Sequence, residues 1–412
     1  MKLVPDKCHL VVMNPNKDQN EFSSCFLTLN GSHLFPSSHA EHLGLLRTNS
    51  LRNISIIQDK IFKHKKALFP VLSCGGAKGH SGNPAASILV EKLYASPVLL
   101  SGLASLVLNK GELNMVSQHQ KLVLQNLLKL HSRTSHEAVY FLSGSLPATA
   151  LIHIQMFGLL GMISRLGSKS ILYSLAIYSI HHQVTPSWFW YVHELAILYQ
   201  LPSVISILIS APPKLPYKRL VKEQVIKHWR TNLINSMRTK PSLHFLRPEF
   251  LPIGSDPHPL WMSCDGSNHS IRAATIHGRV ISGRYRDDYI ISKFNPELSG
   301  KCCLCGYYPG DFSHWLSFMC QPLANSLYAV LTQSLEELSP WPALQDIVQR
   351  AFYRDSKGWT SYVVDPSTDV MVIPVQQRHG PKYIWPLFKL SRSLIWCVHR
   401  KISEFRRAAP FL

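Results

Sequence analysis

Acidic residues are scarce in this chain of 412 residues, which has 24 aspartates and glutamates against 43 lysines and arginines. Before residue 250 the only aspartates are Asp6, Asp18 and Asp59, and residues 60–255 contain none. Polymerases and many nucleases need several carboxylates to clamp their metal ions. The absence therefore excludes an aspartate-based catalytic site over most of the first two thirds of the chain.

The shortage of acid leaves a formal net charge of +19. A positive excess of this size is typical of proteins that bind a polyanion, either nucleic acid or an anionic membrane face. A basic protein with no such partner is the alternative.

Long uninterrupted hydrophobic runs are also lacking. The most apolar stretches are residues 96–108, 146–163 and 196–213, and the last two carry polar residues or proline at their centres. A membrane span needs about 20 predominantly apolar residues, so these stretches are predicted to be core helices. The first residues do not have the form of a signal peptide. We therefore expect no membrane partner and a nuclear or cytoplasmic location.

Cysteines are few, odd in number and uneven: of nine, four crowd into residues 302–320. This distribution does not suit a secreted disulfide framework and favours a metal site in a reducing compartment. Cys302, Cys305, His314 and Cys320 form a C-x2-C-x8-H-x5-C array. Thiolates and imidazole are the ligands that zinc prefers, and four of them leave no open position. The array therefore predicts one structural zinc.

Two alternatives to this ligand set remain open. Cys303 can replace Cys302, although the two-residue spacing to Cys305 closes a better chelate turn. The whole group can also be a chance cluster of reduced, buried cysteines.

The following Pro309-Gly310-Asp311 turn is expected to bring His314 and Cys320 back to the first pair from a short helix.

The remaining patterns predict a mainly α protein with a small β element. Asn30-Gly31 lies between two strand-like arms and indicates a hairpin. His42 to Arg47 is predicted to be a further strand. Helical periodicity begins near Asn53, and Ser145 is a candidate N-cap. A last helix has an apolar stripe from Leu387 to Phe405.

The sequence Tyr285-Arg286-Asp287-Asp288 has the form that reverse transcriptases use to hold catalytic metals. Glycine and arginine surround it instead of the apolar arms that would bury a catalytic hairpin. We therefore predict that Asp287 and Asp288 cap a short helix and that no residue of the chain is catalytic. Asp365-Pro366 with Asp369 resembles a nuclease element only in reversed order and is interpreted as a turn.

Several passages together resemble the C-terminal part of the reverse transcriptase of LINE-type non-LTR retrotransposons, in particular the jockey-like clades. Residues 6–17 are similar to the lysine-bearing strand after the catalytic palm, with Lys7 in the place of that lysine. Residues 27–46 are similar to the primer-grip hairpin. Residues 282–294, with the cysteine array, are similar to the terminal zinc-knuckle region.

The resemblance implies four parts: a palm remnant of strands over 1–50, a helical thumb over 51–168, a helical connector over 169–265, and a C-terminal CCHC zinc-knuckle domain with terminal helices over 266–412. The parent activity is RNA-directed DNA synthesis. The catalytic aspartates of the family precede the strand that holds Lys7, so this chain is expected to be a truncated and inactive form. Magnesium would belong only to the complete parent enzyme.

The resemblance also implies RNA template and DNA target or primer as partners. The residues predicted to contact nucleic acid are basic side chains: Lys60, Lys63, Lys65, Lys66, Lys218, Arg219, Lys222, Arg284 and Arg286. The alternative function is a non-enzymatic, zinc-dependent protein that binds RNA or DNA and derives from such an element.

Overall fold

The computed structural model describes residues 10–11, 27–29, 31–35, 37, 39–42, 45–48, 53–71, 82–246, 254, 256–295 and 297–408. Lys7 and most of the predicted strand around it lie outside these residues.

Among the described residues, four short strands form two antiparallel hairpins: β1 (Leu27–Leu29) with β2 (Ser32–Leu34), and β3 (His39–His42) with β4 (Leu45–Thr48). Leu29 pairs with Ser32, and Gly31 has φ +80°, which confirms the predicted two-residue turn. The prediction of one strand from His42 to Arg47 is wrong. His42 pairs with Leu45, because two short arms can satisfy each other's backbone groups where a lone strand cannot.

The other described residues of the first half are mainly helical. Its α-helices are α1 (Ile54–Val71), α2 (Pro84–Val90), α3 (Ser96–Leu100), α4 (Lys110–Leu127), α5 (His136–Ser143), α6 (Ala148–Ser164), α7 (Ile171–His181), α8 (Trp188–Leu198), α9 (Val204–Ser210) and α10 (Lys214–Arg238). A π-helical turn, Glu91–Ala95, joins α2 to α3, and Leu103–Ser105 and Pro241–Leu243 are 3-10 turns.

The start of α6 differs from the prediction. Ser145 is not the N-cap; Pro147 occupies that position and offers no capping side chain. The Gln120 side chain takes over the role from α4, since its Oε1 accepts from Ala148 N at 2.6 Å. Its Nε2 also donates to Leu146 O at 3.1 Å. One buried amide therefore satisfies both backbone groups at this turn.

The second half contains nine further α-helices among the described residues. They are α11 (Pro259–Met262), α12 (Asn268–Ile281), α13 (Asp288–Ser292), α14 (Phe312–Leu316), α15 (Gln321–Glu337), α16 (Pro342–Phe352), α17 (Ser356–Val364), α18 (Val372–His379) and α19 (Trp385–Ala408). Pro366–Thr368 and Pro381–Ile384 are 3-10 turns.

The last helix, α19, buries the predicted stripe: Leu387, Leu394 and Val398 are fully covered. Arg392 is a basic residue that this helix also buries. It donates to Ser263 Oγ at 2.9 Å and to Ser263 O at 3.2 Å. Burial lowers the pKa of its guanidinium.

The chain divides into two compact units, each drawn from separate segments. Unit 1 comprises Met1–Pro70, Val90–Gln120 and Leu146–Trp229, and its core forms where α6 packs against α9 and the Leu103–Ser105 turn. Unit 2 comprises Val71–Leu89, Lys121–Ser145 and Arg230–Leu412, and its core surrounds α19, against which α12 and α15 pack. The four-part division implied by the resemblance stays a prediction.

One helical stretch of the described chain, Pro84–Ser105, is long and apolar enough to cross a membrane by length and composition alone. The apolar run predicted over residues 96–108 forms its second half.

Candidate metal centre

The cysteine pair at the start of the array lies on a tight turn in unit 2. Gly306 N donates to Cys302 O at 2.8 Å, and Cys302 N donates to Tyr307 O at 2.7 Å. Gly306 adopts φ +74°, a conformation that glycine allows without strain. The turn carries the Cys302 and Cys305 side chains, as the C-x2-C spacing predicts.

At Gly310 the chain returns to the start of the cysteine segment. Gly310 N donates to Gly300 O at 2.9 Å, and a Cβ at this position would overlap the backbone nitrogen of Cys302. Only glycine therefore permits the returning chain to approach so closely.

The short helix α14 delivers His314. Asp311 caps this helix by accepting from His314 N at 2.7 Å. The imidazole stacks on the Tyr307 ring with centroids 4.7 Å apart, and its Nε2 lies 3.2 Å from Cys305 Sγ. The ring is thus held with Nε2 directed to the cysteine pair, as expected for a ligand on a following short helix.

Cys320 completes the group from the N-cap position of α15, where its Sγ lies 3.9 Å from Cys302 Sγ. The ligand atoms of Cys302, Cys305, His314 and Cys320 all lie within 4.8 Å of one another. Cys302, His314 and Cys320 are buried and Cys305 is exposed. Three sulfurs and one imidazole nitrogen at this separation can hold one tetrahedral metal ion such as zinc.

Local electrostatics distinguish the two adjacent cysteines. A hydrogen bond from the Cys320 thiol lowers the pKa of Cys302, whose sulfur also accepts from Trp315 Nε1 at 3.3 Å. Burial, and then the negative charge of Asp288, raise the pKa of Cys303 to about 12. The ligand choice follows from position: Cys302 lies in the cluster and Cys303 lies outside it.

Asp287 of the Tyr-Arg-Asp-Asp sequence is a helix cap, as predicted. Its Oδ1 accepts from Ile290 N at 2.7 Å at the start of α13. Its Oδ2 accepts from Phe312 N at 3.2 Å at the start of α14. Burial raises the pKa of this carboxyl group to about 6. One side chain thus joins two helix starts, one of which carries His314.

The prediction that Asp288 is also a cap is wrong, because it is the first residue of α13, and it has a role that sequence reasoning missed. Its Oδ2 accepts from Cys303 N at 2.8 Å, and its Oδ1 accepts from Arg406 Nη2 of α19 at 2.7 Å. The carboxylate therefore connects the cysteine turn to the last helix. Nothing in the local sequence indicates this partnership, because Arg406 lies 118 residues away.

The four lysines predicted on α1 do not form one basic surface. Lys60 is buried and donates to Ser101 Oγ at 2.9 Å, so its ammonium does not lie on the outer face. Lys63 forms ion pairs with Glu41 at 2.8 Å and Asp59 at 3.0 Å. Lys65 and Lys66 are exposed.

The three basic residues predicted on α10 do share an exposed face. Lys218, Arg219 and Lys222 are exposed, while Tyr217 and Val221 on the opposite side are buried. The helix separates charge from apolar surface over these turns, in the manner of a surface helix.

Arg286 is exposed, and Arg284 is half-buried with its Nε covered. Both lie immediately before α13 in the sequence and therefore beside the candidate metal centre. Asp365, the other acidic element considered from the sequence, caps the Pro366–Thr368 turn as interpreted and lies 3.3 Å from the buried His258 Nε2.

No protein-family model, curated protein or solved structure matches this chain.

Proposed function

We propose that this chain is a nucleic-acid-binding protein of the non-LTR reverse-transcriptase type whose C-terminal region is organised by one structural zinc ion. The observation that carries the proposal is the convergence of Cys302, Cys305, His314 and Cys320 on one point. The proposed lineage rests on the sequence resemblance given above.

The donor set supports a structural zinc ion. Three sulfurs and one nitrogen are soft ligands of the kind that zinc prefers, whereas magnesium and calcium prefer oxygen. The four protein ligands fill a tetrahedral shell, so no position is left for water or substrate. The role that fits this site is to stabilise the fold, and a four-ligand zinc can contribute on the order of 10 kcal/mol to a short segment.

The charge of the molecule supports a polyanionic partner. The net charge is +19, and α10 exposes Lys218, Arg219 and Lys222 on one face. Phosphate contacts from such side chains supply affinity without base specificity. Single-stranded RNA, the template that the resemblance implies, is the partner we expect first.

A non-enzymatic role is favoured by the engagement of the two aspartates. Asp287 accepts two backbone hydrogen bonds, and Asp288 accepts one together with a hydrogen bond from Arg406. Carboxylates committed in this way are not available to clamp magnesium. We propose the binding function rather than polymerisation for this chain, whether it acts within a larger enzyme or alone.

The test is RNA binding as a function of salt concentration, measured by fluorescence anisotropy with a labelled single-stranded oligonucleotide. We expect the affinity to fall steeply between about 50 and 200 mM salt. Reversing the charges of Lys218, Arg219 and Lys222 to glutamate should weaken binding by at least about tenfold.

The matched control reverses three exposed cations on other elements, Lys357, Arg378 and Lys382, with the same change in net charge. If the wild-type chain does not bind RNA at low salt, the proposed function is wrong. Equal losses of RNA affinity in the test and control variants would show that binding depends on net charge and not on the exposed face of α10.

A further inference from the structure

Three segments of unit 2 bring basic side chains together beside the candidate metal centre. Arg284 N donates to Arg279 O at 2.8 Å, so the residue after the end of α12 turns back over its last turn. Gly283, with φ +64°, makes this turn where a side chain would overlap Ser242 O. The close approach places the Arg279 and Arg284 backbones next to each other.

The third segment follows α4. Leu130 packs against Gly278 of α12, because its Cδ2 lies 3.4 Å from the position that a Cβ on this glycine would occupy. The loop that follows Leu130 and contains His131 and Arg133 therefore lies beside the end of α12. Arg133 N donates to His131 Nδ1 at 3.1 Å, and this bond orients the imidazole within the loop.

The electrostatic surroundings of His131 agree with this arrangement. Burial first, and then the positive charges of Arg286, Arg284, Arg279 and Arg133, lower its pKa. We refer to His131, Arg133, Arg279, Arg284 and Arg286 as the arginine cradle.

The four arginines of the cradle have no carboxylate partner among the described residues. The acidic groups nearest in the sequence are committed elsewhere: Asp287 accepts from two backbone N–H groups, Asp288 accepts from Arg406, and Glu137 accepts from Lys240 at 2.5 Å. The Nε atoms of Arg279 and Arg284 are buried and make no hydrogen bond within the described structure. Buried donors without acceptors cost free energy, and an anion between these side chains would remove that cost.

We propose that the arginine cradle binds the phosphodiester groups of a single-stranded nucleic acid. Guanidinium groups present planar pairs of donors that match phosphate oxygens, and several of them together tolerate adjacent phosphates. The nature of the ligand rests on the proposed function given above, whereas the phosphate chemistry rests on the cradle itself. The inference adds Arg133 and Arg279, which lie far from the basic face of α10 in the sequence.

The first test uses the two exposed members of the cradle, so that folding is preserved. The variant Arg133→Glu/Arg286→Glu should bind labelled single-stranded RNA at least about tenfold more weakly than the wild type. The slope of log affinity against log salt should decrease by about two, one for each lost phosphate contact. The control Lys357→Glu/Arg378→Glu changes the net charge equally at exposed sites and should retain most of the affinity.

The second test uses inorganic phosphate as the probe of Arg279 and Arg284, which are half-buried with covered Nε atoms. Phosphate should raise the midpoint of thermal unfolding of the wild type and should do so much less in Arg279→Gln/Arg284→Gln. Circular dichroism and the zinc content of this variant establish whether it is folded. If it is not, Arg279→Lys and Arg284→Lys replace it, because they keep the charge and lose the paired donors.

The outcomes separate the cradle from the proposed function. If RNA binds the wild type and Arg133→Glu/Arg286→Glu equally, the proposed role of the cradle is wrong and the proposed function stands. If RNA does not bind the wild type but phosphate stabilises it through Arg279 and Arg284, the anion site stands and the proposed function is wrong. If Arg133→Glu/Arg286→Glu loses binding to anionic phospholipid vesicles while its RNA binding is unchanged, the cradle binds a membrane surface. That outcome would overturn the nucleic-acid assignment.

Discussion

Asp287 and Asp288 are adjacent in the chain, but each connects the metal-binding segment to a different neighbour. Asp287 accepts hydrogen bonds from the starts of α13 and α14, and Asp288 accepts from the cysteine turn and from Arg406 of α19. Hydrogen bonds to a charged acceptor are stronger than those between neutral groups. The pair therefore orders the segment that carries the metal ligands.

We predict that Asp288→Asn weakens metal retention. The substitution keeps the shape of the side chain but removes the charge that Cys303 N and Arg406 share, and the expected loss is about 1 to 3 kcal/mol. Competition with a zinc chelator measures it. The control is Asp346→Asn, whose exposed ion pair with Arg350 should contribute less than about 1 kcal/mol. Equal zinc affinity in Asp288→Asn and wild type would contradict the prediction.

The ligand set itself gives a second prediction. The purified chain should contain one zinc ion, and Cys305→Ser and His314→Ala should lose it because each removes one corner of the tetrahedron. Cys303→Ser should keep the metal, since this thiol lies outside the cluster. Elemental analysis of the purified variants is the measurement. Loss of zinc in Cys303→Ser with retention in Cys302→Ser would reverse the assignment.

Among the elements, the cysteine turn depends on two glycines for different reasons. Gly306 needs a positive φ but has open space around it, while Gly310 lies against the backbone of Cys302. Gly306→Ala should therefore cost only about 1 to 2 kcal/mol of stability, the strain of the left-handed conformation. Gly310→Ala should cost more and should reduce zinc affinity, because backbone atoms have to move. Chelator competition on both variants distinguishes them, and an equal effect would argue against the close approach.

The start of α6 provides a prediction about capping. Gln120→Ala should destabilise the protein by about 2 kcal/mol or more, because Ala148 N and Leu146 O would lose a buried partner. Ser145→Ala should have little effect, since Ser145 does not cap the helix and its Oγ makes no hydrogen bond within the described structure. Denaturant unfolding of the two variants tests this. A larger loss of unfolding free energy in Ser145→Ala than in Gln120→Ala would show that Ser145 is the cap, as expected from the sequence.

Across the whole molecule, buried histidines link stability to pH. Burial lowers the pKa of His119 and His153 from 6.5 to about 4, and that of His277 from 6.5 to about 3. Between these values and 6.5 the unfolded chain binds more protons than the folded chain. The contribution of these histidines to stability should therefore decrease as the pH falls from about 6.5 to about 4, by up to about 1.4 kcal/mol per pH unit for each histidine, while the raised pKa of Asp287 opposes it in part.

Urea unfolding across this pH range measures the dependence. His277→Gln should reduce the slope because it removes one buried titrating group. A stability that stays constant from pH 6.5 to 4 would refute this linkage.

Much of the local organisation follows from the amino-acid sequence alone. The mainly α class, the Asn30-Gly31 hairpin and the buried stripe of α19 are set by turn chemistry and by the period of apolar residues, which act over a few positions. The spacing of Cys302, Cys305, His314 and Cys320 likewise identified the group that the structure brings together. These features are predictable because their determinants are neighbours along the chain.

Only the tertiary structure decided which polar side chains are engaged and with which partners. Lys60 was predicted to contact nucleic acid, yet it is buried and donates to Ser101, and Arg392 of α19 is likewise buried and hydrogen-bonded. Gln120 caps α6 in place of Ser145, and Asp288 meets Cys303 and Arg406. Each of these contacts joins residues that are distant in the sequence. Packing between elements brings them together, and no local pattern encodes it.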